Sequence, residues 1–318
     1  MNAGKKHRPK PCAFKAALSQ HVAVVKDLAM CALGSMGVTG PQAVLLALLC
    51  TACTPPEPPL AYSTLRDDNW EIYRYDPRPQ RHSNLTRHSG LDQDPQWQPG
   101  GQRLLFTSSR EANAELYLIN PDGSNLSRLT HDPAWDQDPC WSPDGQQIAF
   151  SSDRDGNREL YLIAADGSDP RRLTHHSAAD SEPAWSPDGK QLAFISTRGG
   201  EADLYLLTLE TRQVRPLLKR PGSREQQPIW SPDGRWLAFI SVQADQSRLY
   251  RVAADGSDLQ ALSPPELTAL SPLWHVQNEL LFSARTTEAF AIYRIGADGQ
   301  GLRRWLSGPA DLMIGSQP

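Results

Sequence analysis

The run Trp-Ser-Pro-Asp-Gly occurs at residues 141–145, 185–189 and 230–234, with a worn copy from Trp97 and a more degenerate one from Trp274. Successive tryptophans in this series stand 44, 44, 45 and 44 residues apart. A period of that size admits few architectures, because one supersecondary unit must be stacked or arranged in a ring. A second marker completes the count. An aliphatic residue precedes Tyr at Ile72-Tyr73, Leu116-Tyr117, Leu160-Tyr161, Leu204-Tyr205, Leu249-Tyr250 and Ile292-Tyr293, which makes six copies.

Within one copy, residues 136–174, four short segments have strand composition: DQDPCWS, QIAFSS, ELYLIAA and RRLT. Turn chemistry separates them. Ser142-Pro143-Asp144-Gly145 sets Pro at a turn corner and Gly where φ is free to be positive, and Asp155-Gly156-Asn157 and Asp166-Gly167-Ser168 mark two further turns. No helical periodicity competes. Four antiparallel strands repeated six times predict an all-β fold, a six-bladed β-propeller. The repeated Trp141, Trp185 and Trp230 are expected between blades.

The first copy opens at Leu60-Ala61-Tyr62-Ser63-Thr64, which aligns with the second strand of the other copies, so its innermost strand is missing. The last copy ends at Leu306-Ser307, and residues 308–318 remain. Residues 311–316 are therefore expected to supply the missing inner strand of blade one. Such a clasp closes the ring and removes open sheet edges.

Residues 1–52 read as a leader. The apolar run 43–49 is too short to span a bilayer and suits the core of an export signal. Met30 or Met36 would place a translation start closer to it. Thr51-Ala52-Cys53 follows, then a Pro-rich tether over 53–59, then the propeller over 60–318. This junction resembles the lipobox of bacterial lipoproteins, with Cys50 where Leu is usual. The resemblance implies lipidation at Cys53, periplasmic exposure and anchoring to the outer membrane through the lipid alone. Four of the five cysteines lie in or at the end of the leader, so the body holds only Cys140, which reads as a packed small residue.

Net charge is −4, but unevenly placed. Beyond residue 52 there are 26 basic and 35 acidic residues, a balance that repels phosphate backbones and argues against nucleic acid as a partner. There is no nucleophile elbow, phosphate loop or dinucleotide fingerprint. No cofactor and no metal are expected, and the chain is expected to be a monomer and not an enzyme.

The blade turns divide the molecule into two faces. On the face opposite the Ser-Pro-Asp-Gly turns, the inner strands open with paired acids: Asp92 and Asp94, Asp136 and Asp138, Asp180 and Glu182, Glu225, and Asp311. Arg110, Arg154 and Arg198 recur beyond strand two, and where that Arg becomes Gln243 the inner acid becomes Gln227. This joint loss predicts intrablade ion pairs Asp94–Arg110, Asp138–Arg154 and Glu182–Arg198. The outer acids Asp92, Asp136, Asp180 and Glu225 are then left to face a partner, together with Trp135, His131 and His175. An unrepeated loop Trp is a natural interface anchor.

The whole pattern D-x-D-P-x-W-S-P-D-G…I-A-F-x-S-x-R-D-G-N…E-L-Y-L-I…A-D-G-S…R-L-T resembles the propeller repeat of the TolB family, over residues 60–318. The resemblance implies a non-enzymatic periplasmic scaffold that docks a protein at the channel mouth, peptidoglycan-associated lipoprotein in particular. The family's N-terminal α/β domain is not recognised here. Similar repeats occur in peptidases and polysaccharide lyases, so the alternative is a metal-assisted lyase or hydrolase. It would use His131, His175 and His176 with Asp136 or Asp180.

Overall fold

The computed structural model describes residues 57–66, 69–275, 278–286, 290–307 and 312–314. The expected leader over 1–52, Cys53 and Asp311 lie outside these. The described chain is all-β: six four-stranded antiparallel sheets form the blades of a propeller.

Blade three shows why the repeat folds as it does. Its strands are Asp136–Trp141, Gln147–Ser152, Glu159–Ala164 and Arg171–Arg172. In the first turn, the Ser142 hydroxyl donates to Asp144 Oδ1 at 2.6 Å and accepts from Gln147 N at 2.9 Å, while Asp144 Oδ1 also accepts from Gln146 N at 3.0 Å. The chain reverses on Gly145 at φ 67°. The same bonds recur at Ser186 and Asp188 and at Ser231 and Asp233. In the turn between strands three and four, Asp166 accepts from both N and Oγ of Ser168. Gly167 there, at φ 87°, lies against the preceding blade so closely that a Cβ would meet Leu129 O at 2.7 Å. This glycine joins neighbouring blades as well as turning the chain.

The core lies between blades. Phe150 is completely buried and its ring centroid stands 5.7 Å from that of Tyr161, a pairing repeated at Phe106–Tyr117, Phe194–Tyr205, Phe239–Tyr250 and Phe282–Tyr293. Trp141 packs in one cluster with Leu105, Leu116 and Leu118 of blade two and Ile148 and Phe150 of its own blade, as expected for the repeated Trp. Each buried large side chain contributes roughly 1.5–3 kcal/mol, so the ring is held chiefly by these seams.

Blade one is completed as expected. Leu312–Ile314 pairs antiparallel with Leu60–Arg66 in the register Tyr62↔Ile314, Ser63↔Met313, Thr64↔Leu312. The chain enters at the same seam: Glu57 Oε1 accepts from Arg294 Nη1 at 3.0 Å, and Arg294 also contacts Glu279 at 2.9 Å and lies over the Trp305 ring.

Each inner strand of blades two to six carries a β-bulge at the same place, seen as register shifts between Gln93 and Gln96, Gln137 and Cys140, Ser181 and Ala184, Gln226 and Ile229, and Leu270 and Leu273. Asp94, Asp138, Glu182, Gln227 and Ser271 take positive φ there, between 46° and 53°. The next residue is Pro in every case, Pro95, Pro139, Pro183, Pro228 and Pro272. Pro has no N–H for the ladder, so the strand breaks pairing at that point and re-aims the residue before it.

Candidate functional site

The bulges deliver their side chains to the propeller axis. A cavity of about 330 Å³ runs along the channel, lined by Asp94, Asp138, Glu182, Gln227, Ser271 and Ser63 from the six blades, and by Trp141, Trp185 and Trp230 beyond them. Three consecutive blades thus present carboxylates and the other three present neutral polar groups.

A relay of hydrogen bonds ties the blades around this ring. Ser151 Oγ donates to Asp138 Oδ2 at 2.7 Å and accepts from Glu182 N at 3.2 Å. Gln227 N donates to Glu182 Oε2, and Ser271 N donates to Gln227 Oε1 at 2.9 Å. Asp94 lies at the open end of the series. Thr107, which matches Ser151 by position, is buried with its hydroxyl unpartnered among the described residues. Burial and then the charge of Asp138 push Asp94 up to about 7. The same two causes push Glu182 up, against the N–H of Gln227.

The expected pairing of acids and arginines is reversed. Asp94, Asp138 and Glu182 do not meet Arg110, Arg154 and Arg198. Those guanidiniums bind the outer acids instead: Arg110 Nη2 to both oxygens of Asp92 at 3.0 and 3.1 Å, Arg154 Nη2 to both of Asp136 at 2.9 and 2.8 Å, and Arg198 Nη2 to Asp180 Oδ2 at 2.6 Å. Asp92, Asp136, Asp180 and Glu225 are completely buried, so none of them faces a partner. The physical reason is the bulge. Strict two-residue alternation would put both acids of a strand on one face, and the positive φ turns the second toward the axis while the first remains inside the blade.

Each guanidinium is further fixed by a serine and an aromatic ring. Arg154 Nε donates to Ser152 Oγ at 2.9 Å and its Cζ lies 4.7 Å from the Tyr161 centroid. Burial nevertheless pushes the Asp136 carboxyl above its ordinary range. Blade five, lacking that Arg, brings Arg220 over Tyr250 to reach Glu225 at 3.7 Å.

On the loop face, Trp135 is 54% exposed and held by its backbone N–H to Asp153 Oδ1 at 2.9 Å. Leu91, at the same position in blade two, is 46% exposed. Both immediately precede a buried acid, Asp136 and Asp92, and so stand at the rim. His131, His175 and His176 are exposed in the loops of that face. His176 is bound into its loop, with its N–H donating to Glu159 Oε1 at 2.6 Å and its Nδ1 accepting from Ala178 N at 3.0 Å. The ligand set of the enzymatic alternative is not brought together, since Arg154 and Arg198 occupy Asp136 and Asp180. Among the described residues no three His, Cys, Asp or Glu side chains are arranged to hold a metal ion. Sequence reasoning missed Ser63 and the axial role of Asp94, Asp138 and Glu182. The Pro after each bulge residue was the available signal.

Comparison with known proteins gives a consistent picture of the fold. The TolB beta propeller domain family matches residues 46–182 and 176–311. TolB from Acinetobacter baumannii is similar in structure, with TM-score 0.73 and 19% identity over 86% of this chain and 70% of that one. A putative TolB from Agrobacterium tumefaciens has TM-score 0.64 and 21% identity over 81% of this chain and 97% of that one. An oligogalacturonate lyase in complex with manganese has TM-score 0.55 and 15% identity over 80% of this chain and 74% of that one. At these identities the structural likenesses speak for the fold alone. No curated protein matches the chain.

Proposed function

The chain belongs to the TolB β-propeller domain family, and from that membership we propose that it is a non-enzymatic periplasmic scaffold that docks a protein partner on its loop face. The observation that carries this reading is the pairing of an exposed apolar rim, Trp135 and Leu91, with a channel whose three carboxylates form no ion pair among the described residues. An exposed aromatic anchor on the loop face and a channel of acids with no guanidinium partner are chemistry suited to a partner, since both features cost free energy until covered. The partner implied by the family resemblance is peptidoglycan-associated lipoprotein. In the same reading, lipidation at Cys53 anchors the chain to the outer membrane.

The test is calorimetric titration of the whole chain with the peptidoglycan-associated lipoprotein of the same organism. Binding at roughly micromolar strength or tighter, weakened at least about tenfold by Trp135→Ala together with Leu91→Ala, is the expected result. No heat of binding to the folded chain would overturn this choice of partner, and unchanged binding by the double variant would overturn the rim as its dock.

A further inference from the structure

Among the described residues six carboxylates are completely buried: Asp92, Glu115, Asp136, Glu159, Asp180 and Glu225. Every one forms an ion pair with an arginine, respectively Arg110, Arg128, Arg154, Arg172, Arg198 and Arg220. A guanidinium thus meets every carboxylate that is wholly removed from water, while Glu71 and Asp203, buried slightly less deeply, are held by neutral donors such as His88 N and Arg220 N.

The channel acids are half-buried and have no guanidinium partner among the described residues. Asp94, Asp138 and Glu182 stand on three consecutive blades around one cavity, and no Lys, Arg or His lines it. Arg158, whose charge is felt at Glu182, is turned to Gln137 Oε1 at 2.8 Å. A second observation is independent of these acids. The hydroxyl of Ser63, completely buried in the wall of the same cavity, has no partner among the described residues. Its equivalent in blade three, Ser151, is fully engaged with Asp138 and Glu182 N. The channel therefore lacks a positive charge and offers an unused hydrogen-bonding group beside the place where that charge would sit.

We propose that the channel is a receptor for one organic cation, the guanidinium or ammonium group of a side chain on the docked partner. Asp94, Asp138 and Glu182 serve as its counter-charges, and Ser63 on the adjoining blade as a further acceptor. The inference rests on the docking reading and names the chemistry of what docks. An organic group suits the geometry better than a bare ion, because the three carboxylates are spread over separate blades and do not form a metal-ligand set. A guanidinium distributes its donors over a plane and can meet acceptors that are spaced apart. The net negative body would draw such a partner toward the mouth.

The cation carries a proton signature. Burial and the charge of Asp138 keep Asp94 partly protonated near neutral pH. A positive group beside it favours the ionised carboxylate, so binding near pH 7 releases protons.

The experiment titrates the whole chain with N-acetyl-arginine amide, with the neutral isostere N-acetyl-citrulline amide and with calcium chloride. Calorimetry at pH 7 in two buffers of different ionisation heat reads both binding and proton release. Expected are saturable arginine-amide binding with proton release, and at least about tenfold weaker binding of the citrulline amide. The triple variant Asp94→Asn/Asp138→Asn/Glu182→Gln should lose both signals. Equal binding of the two amides, no saturable arginine-amide binding, or retention by the folded triple variant would overturn the inference. So would calcium binding that the arginine amide fails to displace. The isostere comparison uses the unaltered chain and holds even if the triple variant does not fold. Arginine-amide binding without lipoprotein binding would leave this inference standing and overturn that partner. The converse would overturn the inference alone.

Discussion

Arg220 reaches Glu225 at 3.7 Å from the loop that precedes its strand, whereas the arginines of blades two to four reach the equivalent acid from beyond strand two. Two different chain positions therefore supply one guanidinium to one place in the blade. The position is required, and the residue number that fills it is not.

Removing that guanidinium strands a buried charge. Arg154→Ala should destabilise the protein by about 3–5 kcal/mol, because Asp136 is completely buried and loses its donor to both oxygens. Asp136→Asn combined with Arg154→Ala should cost less than the sum of the two single changes, a coupling that a urea-unfolding cycle would read.

The axial carboxylates make stability fall as pH rises. Asp94 titrates near 7 in the folded chain against 3.8 as its ordinary value. Between these values the folded state holds a proton that the unfolded state has released, so its contribution to stability falls as pH rises through that window and is flat above it. The urea midpoint of the unaltered chain minus that of Asp94→Asn should decline from pH 4 to pH 7. A difference that rises or stays level would contradict the raised value.

Closure of the ring depends on three paired residues. Deleting residues 308–318 removes the strand opposite Tyr62, Ser63 and Thr64, leaving the edge of blade one open. The melting temperature should fall sharply, and amide exchange should accelerate first in Leu60–Arg66.

Gly167 tests the contact between neighbouring blades. Its φ of 87° and the 2.7 Å separation between an added Cβ and Leu129 O predict that Gly167→Ala costs more than about 1 kcal/mol. Gly156→Ala, at φ 98° but with nothing within 4 Å, bears the backbone cost alone and should be the milder change.

Lipid anchoring is tested by fractionation. Cys53→Ser should move the protein from the membrane fraction to the soluble one, and an unchanged distribution would refute the anchor.

The architecture was legible because each turn carries its own chemistry. Ser142, Asp144 and Gly145 fix a reversal locally, and repeating that reversal at a 44-residue spacing dictates a ring. The clasp followed from one missing strand and one surplus segment. The site was misread at a single kind of residue. Asp92 and Asp94 have the same spacing as any two residues on one strand face, and only the bulge before Pro95 separates a buried structural acid from an axial one. The substitution of Arg220 for a residue beyond strand two was likewise invisible, because co-occurrence along the chain cannot show which carboxylate a long side chain reaches.

Glu57 is bonded to Arg294 near the end of its strand, on the side of the Ser-Pro-Asp-Gly turns, three residues before Leu60 begins blade one. The propeller is therefore gripped from underneath, at the seam where its first and last blades meet. A pull on the N-terminal segment would load the Glu57–Arg294 bond and the closing strand before any other part of the ring. The mouth with Trp135 and Leu91 lies on the opposite face of the propeller, so the seam at Glu57 and the exposed rim occupy the two ends of one axis.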